Sequence, residues 1–324
     1  MKAIVQDQYG ETDALRLAEI DPPAIGAGEV LVRVHAAGVD PGVWHLMTGQ
    51  PYLVRVMGFG LLRPKDRVRG LDLAGRVEAV GAHVTRLRPG DEVFGTGNGS
   101  FAEYACARED QLAPKPRNLT FAQAAAVPVS GTTALQAVRD VGQVRSGQKV
   151  LIIGAAGGVG TFAVQLARTS GAEVTAVCGP TKATLVRSIG ATHVIDYTRE
   201  DFADGTRHYD LILDTAGIRA LSYVRRALTP QGKLVIIGGE GGNRWTGGFI
   251  ERLLGAAILS AFSSQKLIGL SSKTSQEALQ ALREVIEAGH LTPVIDRTYP
   301  LAEAPAAIRY LTGGHASGKV VVTV

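Results

Sequence analysis

Two textures of hydrophobic patterning divide the chain. From residue 1 to about residue 113, apolar and polar positions alternate in short runs. Val30-Leu31-Val32-Arg33-Val34-His35-Ala36 predicts one strand, and Leu73-Ala74-Gly75-Arg76-Val77-Glu78-Ala79-Val80 another. Arg88-Pro89-Gly90-Asp91 is a turn that leads into a third at Glu92-Val93-Phe94. A period of two marks half-buried strands, and the Pro and Gly between them mark turns, so this part predicts a small, twisted, β-rich domain.

After Pro128 the pattern changes. Lys149-Val150-Leu151-Ile152-Ile153-Gly154 is a continuous apolar run, as a parallel strand buried on both faces requires. Further strands are predicted at 173–178, 193–196, 209–214 and 233–238, with helices over 160–169 and 181–189. Strands separated by helical patterns imply βαβ units and a doubly wound parallel sheet. The chain is expected to leave this domain near Lys266 and form a helix over 275–288. The closing strand, 318–324, has no evident partner in its own segment and is expected to return to the first domain. The domain limits read this way are 1–125 with 267–324, and 126–266.

Composition narrows the class. Forty glycines in 324 residues is about 12%, against a usual ~7%, and part of the excess falls at 154–160 and 238–242. Two cysteines, Cys106 and Cys178, cannot build a disulfide scaffold or a four-cysteine zinc site. Thirty-four basic against 30 acidic residues leave a net charge of +4, interspersed along the chain, which does not argue for nucleic acid. The apolar run 253–265 is 13 residues, short of the ~20 that span a bilayer, so it predicts a buried or interface helix and a homodimer. The first residues show no apolar targeting stretch, and the chain reads as cytoplasmic.

Candidate chemistry begins at Gly154-Ala155-Ala156-Gly157-Gly158-Val159-Gly160, between a buried strand and a helix. Glycines there allow a tight turn and let backbone N–H groups reach a pyrophosphate at the helix N-terminus. An NAD site wants an acid at the end of the second strand; this chain has Cys178-Gly179-Pro180-Thr181-Lys182. With no carboxylate to repel a 2′-phosphate and Lys182 to attract it, NADPH is the expected dinucleotide.

Taken together, the segments resemble the medium-chain dehydrogenase/reductase superfamily, and its zinc-independent quinone oxidoreductase-like branch. The resemblance rests on Gly28-Glu29-Val30-Leu31-Val32-Arg33-Val34, Ala36-Ala37-Gly38-Val39-Asp40-Pro41, Gly70-Leu71-Asp72-Leu73-Ala74-Gly75-Arg76-Val77 and Arg88-Pro89-Gly90-Asp91-Glu92-Val93-Phe94-Gly95. It continues through Ala124-Ala125-Ala126-Val127-Pro128, Gly131-Thr132-Thr133-Ala134, Gly157-Gly158-Val159-Gly160 and Gly318-Lys319-Val320-Val321. It implies a Rossmann domain and a GroES-like catalytic domain split in sequence. Zinc-bearing members carry ligands where this chain has Asp40, Leu71 and Val129, and two of those side chains cannot ligate a metal. A metal-free site is the expectation.

Without a Lewis acid, hydride transfer suits conjugated acceptors. In a quinone or an α,β-unsaturated carbonyl the arriving charge spreads onto a distant oxygen, which hydrogen bonds can stabilise. By resemblance, Asp40 faces the nicotinamide together with Trp44 and His45, and His45 and Tyr52 are candidate proton donors. Relatives often have Asn at position 40; Asp can donate only if protonated. Trp44, Leu53, Val56, Met57 and Phe59 are candidates for an apolar substrate surface, with core packing as the alternative. The resemblance also implies Thr133 beside the nicotinamide and Gly157, Gly158, Val159 and Gly160 on the pyrophosphate. It puts Lys182 and Tyr197 on the adenosine phosphate, and Asp214, Thr215, Gly238 and Lys319 along the cofactor. Asp72 reads as a structural hydrogen-bonder. A non-enzymatic NADPH-binding sensor on the same fold is the competing expectation.

Overall fold

The computed structural model describes every residue except Glu240, Gly241 and Phe262. Gly241 of the run 238–242 and Phe262 of the run 253–265 therefore lie outside the described residues. The chain forms two compact units, residues 1–132 with 273–324, and residues 133–272.

The first unit opens with β1 (Lys2–Gln6) antiparallel to β2 (Leu15–Glu19). The long β3 (Glu29–Val39) leads into α1 (Pro41–Thr48), followed by β4 (Asp72–Val80), β5 (Glu92–Thr96), β6 (Tyr104–Arg108) and β7 (Leu112–Pro114). Two short helices close this stretch, α2 (Phe121–Ala125) and α3 (Pro128–Leu135), the latter crossing the limit between the units. Along β3 the sequence alternation is realised at first: Val30, Val32 and Val34 are buried while Arg33 is exposed. From Ala36 onward both faces are covered. Gly38 is needed there, because a Cβ would lie 2.6 Å from the Ala125 carbonyl and 2.8 Å from Asp72 Oδ2.

The second unit holds β8 (Lys149–Ile153), α4 (Gly158–Thr169), β9 (Glu173–Cys178), α5 (Ala183–Ser188), β10 (His193–Asp196) and β11 (Tyr209–Asp214). It continues with α6 (Leu221–Val224), β12 (Leu228–Ile236), α7 (Gly247–Ala261) and β13 (Lys266–Gly269). All pairings are parallel and the order is β10-β9-β8-β11-β12-β13, a doubly wound sheet whose order reverses between β8 and β11. Phe162, Val164, Leu166 and neighbouring alanines bury α4.

The chain then returns to the first unit through α8 (Gln276–Glu287), β14 (Ile295–Pro300), α9 (Ala304–Thr312) and β15 (Lys319–Thr323). Two sequence expectations change here. The limit expected at 266/267 moves to 272/273 because β13 pairs with β12, and the limit expected at 125/126 moves into α3. The closing strand does reach β3, with Val320 opposite Val39, but it also has a partner in its own segment, β14. No described helix is long and apolar enough to cross a membrane.

Candidate active site

The dinucleotide loop leaves β8 at Gly154, whose φ of +78° is the left-handed conformation that glycine tolerates. Gly160 solves a different problem: a Cβ there would sit 2.2 Å from the Gly154 carbonyl, so its absence lets α4 pack down onto the loop. The N-cap residue, Gly157, has no side-chain cap, and the first-turn N–H groups of Gly158, Val159 and Gly160 have no acceptor within the helix. Thr215, after β11, donates to the carbonyl of Ile153 at 2.8 Å and ties the two strands together where the sheet order reverses. Gly238 follows β12 closely enough that a Cβ would be 2.1 Å from the Thr215 carbonyl. Asp214 ends β11 as expected, yet its carboxylate is not offered outward. It is 1% exposed, accepts from Gly217 N–H at 2.9 Å and pairs with Arg252 of α7. Burial raises its pKa, opposed by the bond from Gly217 and by Arg252.

At the end of β9, Gly179 lies under Tyr197: a Cβ on it would be 3.6 Å from the phenol oxygen. Tyr197 is exposed, and half-exposed Lys182 closes the turn Pro180–Lys182. Burial and Asp196 raise the pKa of the Cys178 thiol, while the positive charges of Lys182 and Arg187 oppose them. The sequence reading had not included Arg187.

In the first unit, the end of α1 is held by side-chain donors to five consecutive carbonyls. Arg69 donates to Leu46, Gln6 to Met47, Arg55 to Thr48 and Gly49, and His45 Nδ1 to Gln50. This fixes the segment that bears Trp44 and His45. Trp44 packs on the core of the unit and donates to Glu11, and Tyr52 is covered by the Arg55 guanidinium, 4.8 Å from its ring centre. Leu53 is half-buried. Val56 and Met57 are 64% and 67% exposed and Phe59 is exposed too. These three therefore do not form an enclosed apolar surface. They lie on an irregular helical turn, Arg55–Phe59, broken at Gly58 (φ +103°). Thr133 is buried in α3, at the first residue of the second unit.

Asp40 and Lys319 require correction. Asp40 stands at the N-cap of α1 but does not cap it. Its Oδ1 accepts instead from Lys319 Nζ and from Ser130 Oγ at 3.3 Å. Lys319 Nζ also donates to Asp72 Oδ2 at 3.3 Å and to Ser130 Oγ at 3.2 Å, which engages all three of its N–H bonds. Asp72 Oδ1 accepts from the Val129 N–H at 2.9 Å. All four side chains are essentially buried. Burial pushes the Asp40 carboxyl up, but the Lys319 charge and hydrogen bonds from Asp72, Lys319 and Ser130 outweigh it, so Asp40 stays below the usual range. Burial and then the Asp40 charge drive Asp72 well above that range. Burial opposes the charge on Lys319, yet Asp40 and Asp72 hold it cationic. Asp40 is thus an ionised acceptor and no proton donor. Lys319 is committed to the β-rich unit and not available to a cofactor. Ser130 completes the cluster.

Family comparisons agree with this architecture. Residues 26–117 match the alcohol dehydrogenase GroES-like domain, and residues 189–322 match the family described as zinc-binding dehydrogenase. The mitochondrial NAD(P)H oxidoreductase RTN4IP1 of Mus musculus is 32% identical, covering 100% of this chain and 89% of that protein. The chloroplastic NADPH-dependent alkenal/one oxidoreductase of Arabidopsis thaliana is 33% identical over 99% of this chain and 79% of its own length. Among solved structures, the quinone oxidoreductase of Coxiella burnetii superposes with a TM-score of 0.88 at 29% identity, covering 100% of this chain and 99% of that one. This chain belongs to the medium-chain dehydrogenase/reductase superfamily, in its quinone oxidoreductase-like branch. It is an oxidoreductase of that family.

Its residues do not fit the zinc ion in the name of the matched domain. Leu71 and Val129 offer no ligand atom, and Asp40 is taken up by Lys319. Among the described residues no group of three or more His, Cys, Asp or Glu side chains is placed to hold a metal.

Proposed function

We propose that this oxidoreductase uses NADPH to reduce a quinone or an α,β-unsaturated carbonyl compound, without a resident metal ion. The observation that carries the choice of acceptor is the Asp40–Lys319 pair. Where zinc-bearing relatives carry a ligand, this chain has a carboxylate already neutralised by an ammonium. A simple ketone gathers the full charge on its carbonyl oxygen and so gains most from a metal ion there, whereas a conjugated acceptor delocalises the incoming charge and takes its proton from water.

Bound NADPH supplies the hydride. The uncapped first turn of α4 binds its pyrophosphate, Lys182 attracts the 2′-phosphate, and Tyr197 flanks the adenosine. Thr133 approaches the nicotinamide. Trp44 and half-buried Leu53 give the flat acceptor an apolar contact, and His45 holds the Gln50 turn beside them. The protein acts as a cytoplasmic homodimer; Leu254 and Ile258, four residues apart on α7 and both exposed, supply an apolar stripe for a second copy.

NADPH absorbance decides the matter. Purified protein given a panel of 1,4-quinones and enones should oxidise NADPH, and simple ketones should give no turnover. A panel in which only ketones or alcohols react, or in which nothing reacts above blank, removes the proposal.

A further inference from the structure

The Lys319 cluster joins four elements far apart in sequence: Asp40 ahead of α1, Asp72 on β4, Ser130 in α3 and Lys319 on β15. Lys319 and Asp40 are 279 residues apart. The positions used are 40, 72 and 130, beside the positions 40, 71 and 129 that carry ligands in zinc-bearing relatives. One oxygen from each converges on a single buried nitrogen.

We propose that the Lys319 ammonium is the resident cation of this unit, caged by oxygens of Asp40, Asp72 and Ser130, and that it fixes the first turn of α3 where a metal ion would otherwise bridge the elements. This rests on the metal-free reading above. Pro128 has no N–H, so the first donor of α3 is Val129, and Asp72 of β4 accepts it. Ser130, one residue on, donates to Asp40 and accepts from Lys319. Two and three residues further come Thr132 and Thr133, where the chain passes into the second unit. Asp40, Asp72 and Lys319 therefore act on the first turn of α3, through Val129 and Ser130.

The cage excludes a metal because its space and charge are already used. Lys319 is 2% exposed, and its ammonium already pairs with the Asp40 and Asp72 carboxyl groups. Removing the Lys319 side chain beyond Cβ leaves two carboxyl groups and a hydroxyl around a cavity. Such an all-oxygen set suits a small ammonium or a hard cation.

The test uses Lys319→Ala, Lys319→Met and the double variant Asp40→Asn/Lys319→Met. Leaving Asp40 buried and unpaired should lower the melting temperature of either single variant by roughly 5–15 °C. n-Propylammonium should raise the melting temperature and restore NADPH turnover of Lys319→Ala but not of the parent protein. Tetramethylammonium, which has no N–H, should do neither. If Lys319→Ala does not fold, the double variant decides: with both charges gone it should melt well above Lys319→Met. Metal analysis of the parent protein should find substoichiometric zinc. The proposal falls if Lys319→Met melts with the parent, if the double variant melts no higher than Lys319→Met, if the amine acts equally on parent and variant, or if the parent holds one zinc per chain. Melting and metal content need no electron acceptor. Amine rescue of melting in a protein that reduces no quinone or enone would sink the substrate reading and leave the caged cation standing.

Discussion

His45 Nδ1 lies 2.8 Å from the backbone carbonyl oxygen of Gln50. A carbonyl only accepts, so Nδ1 carries the proton, and the ring acts on the chain as a donor that closes the turn after α1. Asparagine can place an N–H at nearly the same point. His45→Ala should cost about 1 kcal/mol of stability and raise the acceptor KM severalfold, whereas His45→Asn should retain most of both. Melting curves and steady-state kinetics of the two variants check this. If both lose about 100-fold in kcat, the imidazole transfers a proton and the positional account is wrong.

Lys182 should discriminate between the two nicotinamide dinucleotides. It closes the turn that follows β9, and under the proposed function it faces the 2′-phosphate. Lys182→Ala should weaken NADPH by about tenfold, equal to roughly 1.4 kcal/mol, and leave NADH little changed. Fluorescence titration of both dinucleotides at low and high salt measures it. Equal weakening of the two would place the phosphate elsewhere, Arg187 being the next cation to test.

Gly160 and Gly28 make a matched pair. A Cβ at Gly160 meets the Gly154 carbonyl at 2.2 Å and Ala155 at 2.7 Å, both backbone, so neither neighbour can rotate away. Gly160→Ala should lose about 1–3 kcal/mol and with it dinucleotide affinity. At Gly28 nothing lies within 4 Å, and Gly28→Ala should stay within about 0.5 kcal/mol of the parent. Denaturant melts monitored with and without NADPH separate the two effects.

These glycines also show what could be read in advance. The parallel sheet and its loop were legible because a strand buried on both faces must be continuously apolar, and 150–153 is, while close backbone approach leaves glycine as its trace. β13 was missed since four residues are too few to show a period, and β14 because Ile295–Pro300 is mostly half-exposed or exposed and does not alternate. Lys319 was misassigned for a different reason. Its partners are set by tertiary pairing of β15 with β3, and nothing within its own segment distinguishes a caged lysine from a ligand-binding one. Arg252 did leave a signal: a charge just ahead of an apolar run needs a partner where its side chain is buried, and Asp214 is that partner.

Neither cysteine should behave as a reactive thiol. Burial and the Glu29 charge push Cys106 up to about 11, and burial also raises Cys178. Only a thiolate attacks an alkylating reagent. Iodoacetamide at pH 7.5 should label the folded protein far more slowly than the denatured one and leave NADPH oxidation intact. Rapid inactivation that follows labelling of Cys178 would assign that thiol to the dinucleotide site.

The two carboxyl groups around Lys319 should give stability opposite dependences on pH. Asp72, raised by burial and by Asp40, holds its proton more tightly in the folded chain than in the unfolded one. Its contribution is fully present below the ordinary carboxylate range and is lost as pH rises through its elevated folded value. Asp40 is lowered, since Lys319 and its hydrogen bonds outweigh burial. Its contribution is present above the ordinary range and is lost as pH falls through its depressed value. Asp72→Asn cannot ionise and keeps an oxygen for the Val129 N–H, while its amide nitrogen replaces the Oδ2 that accepts from Lys319. The variant should therefore lose the decline on the rising-pH side and keep the one in acid. Melting temperatures of parent and variant between pH 4 and pH 9 test this. Parallel profiles would mean that the proton is not held on Asp72.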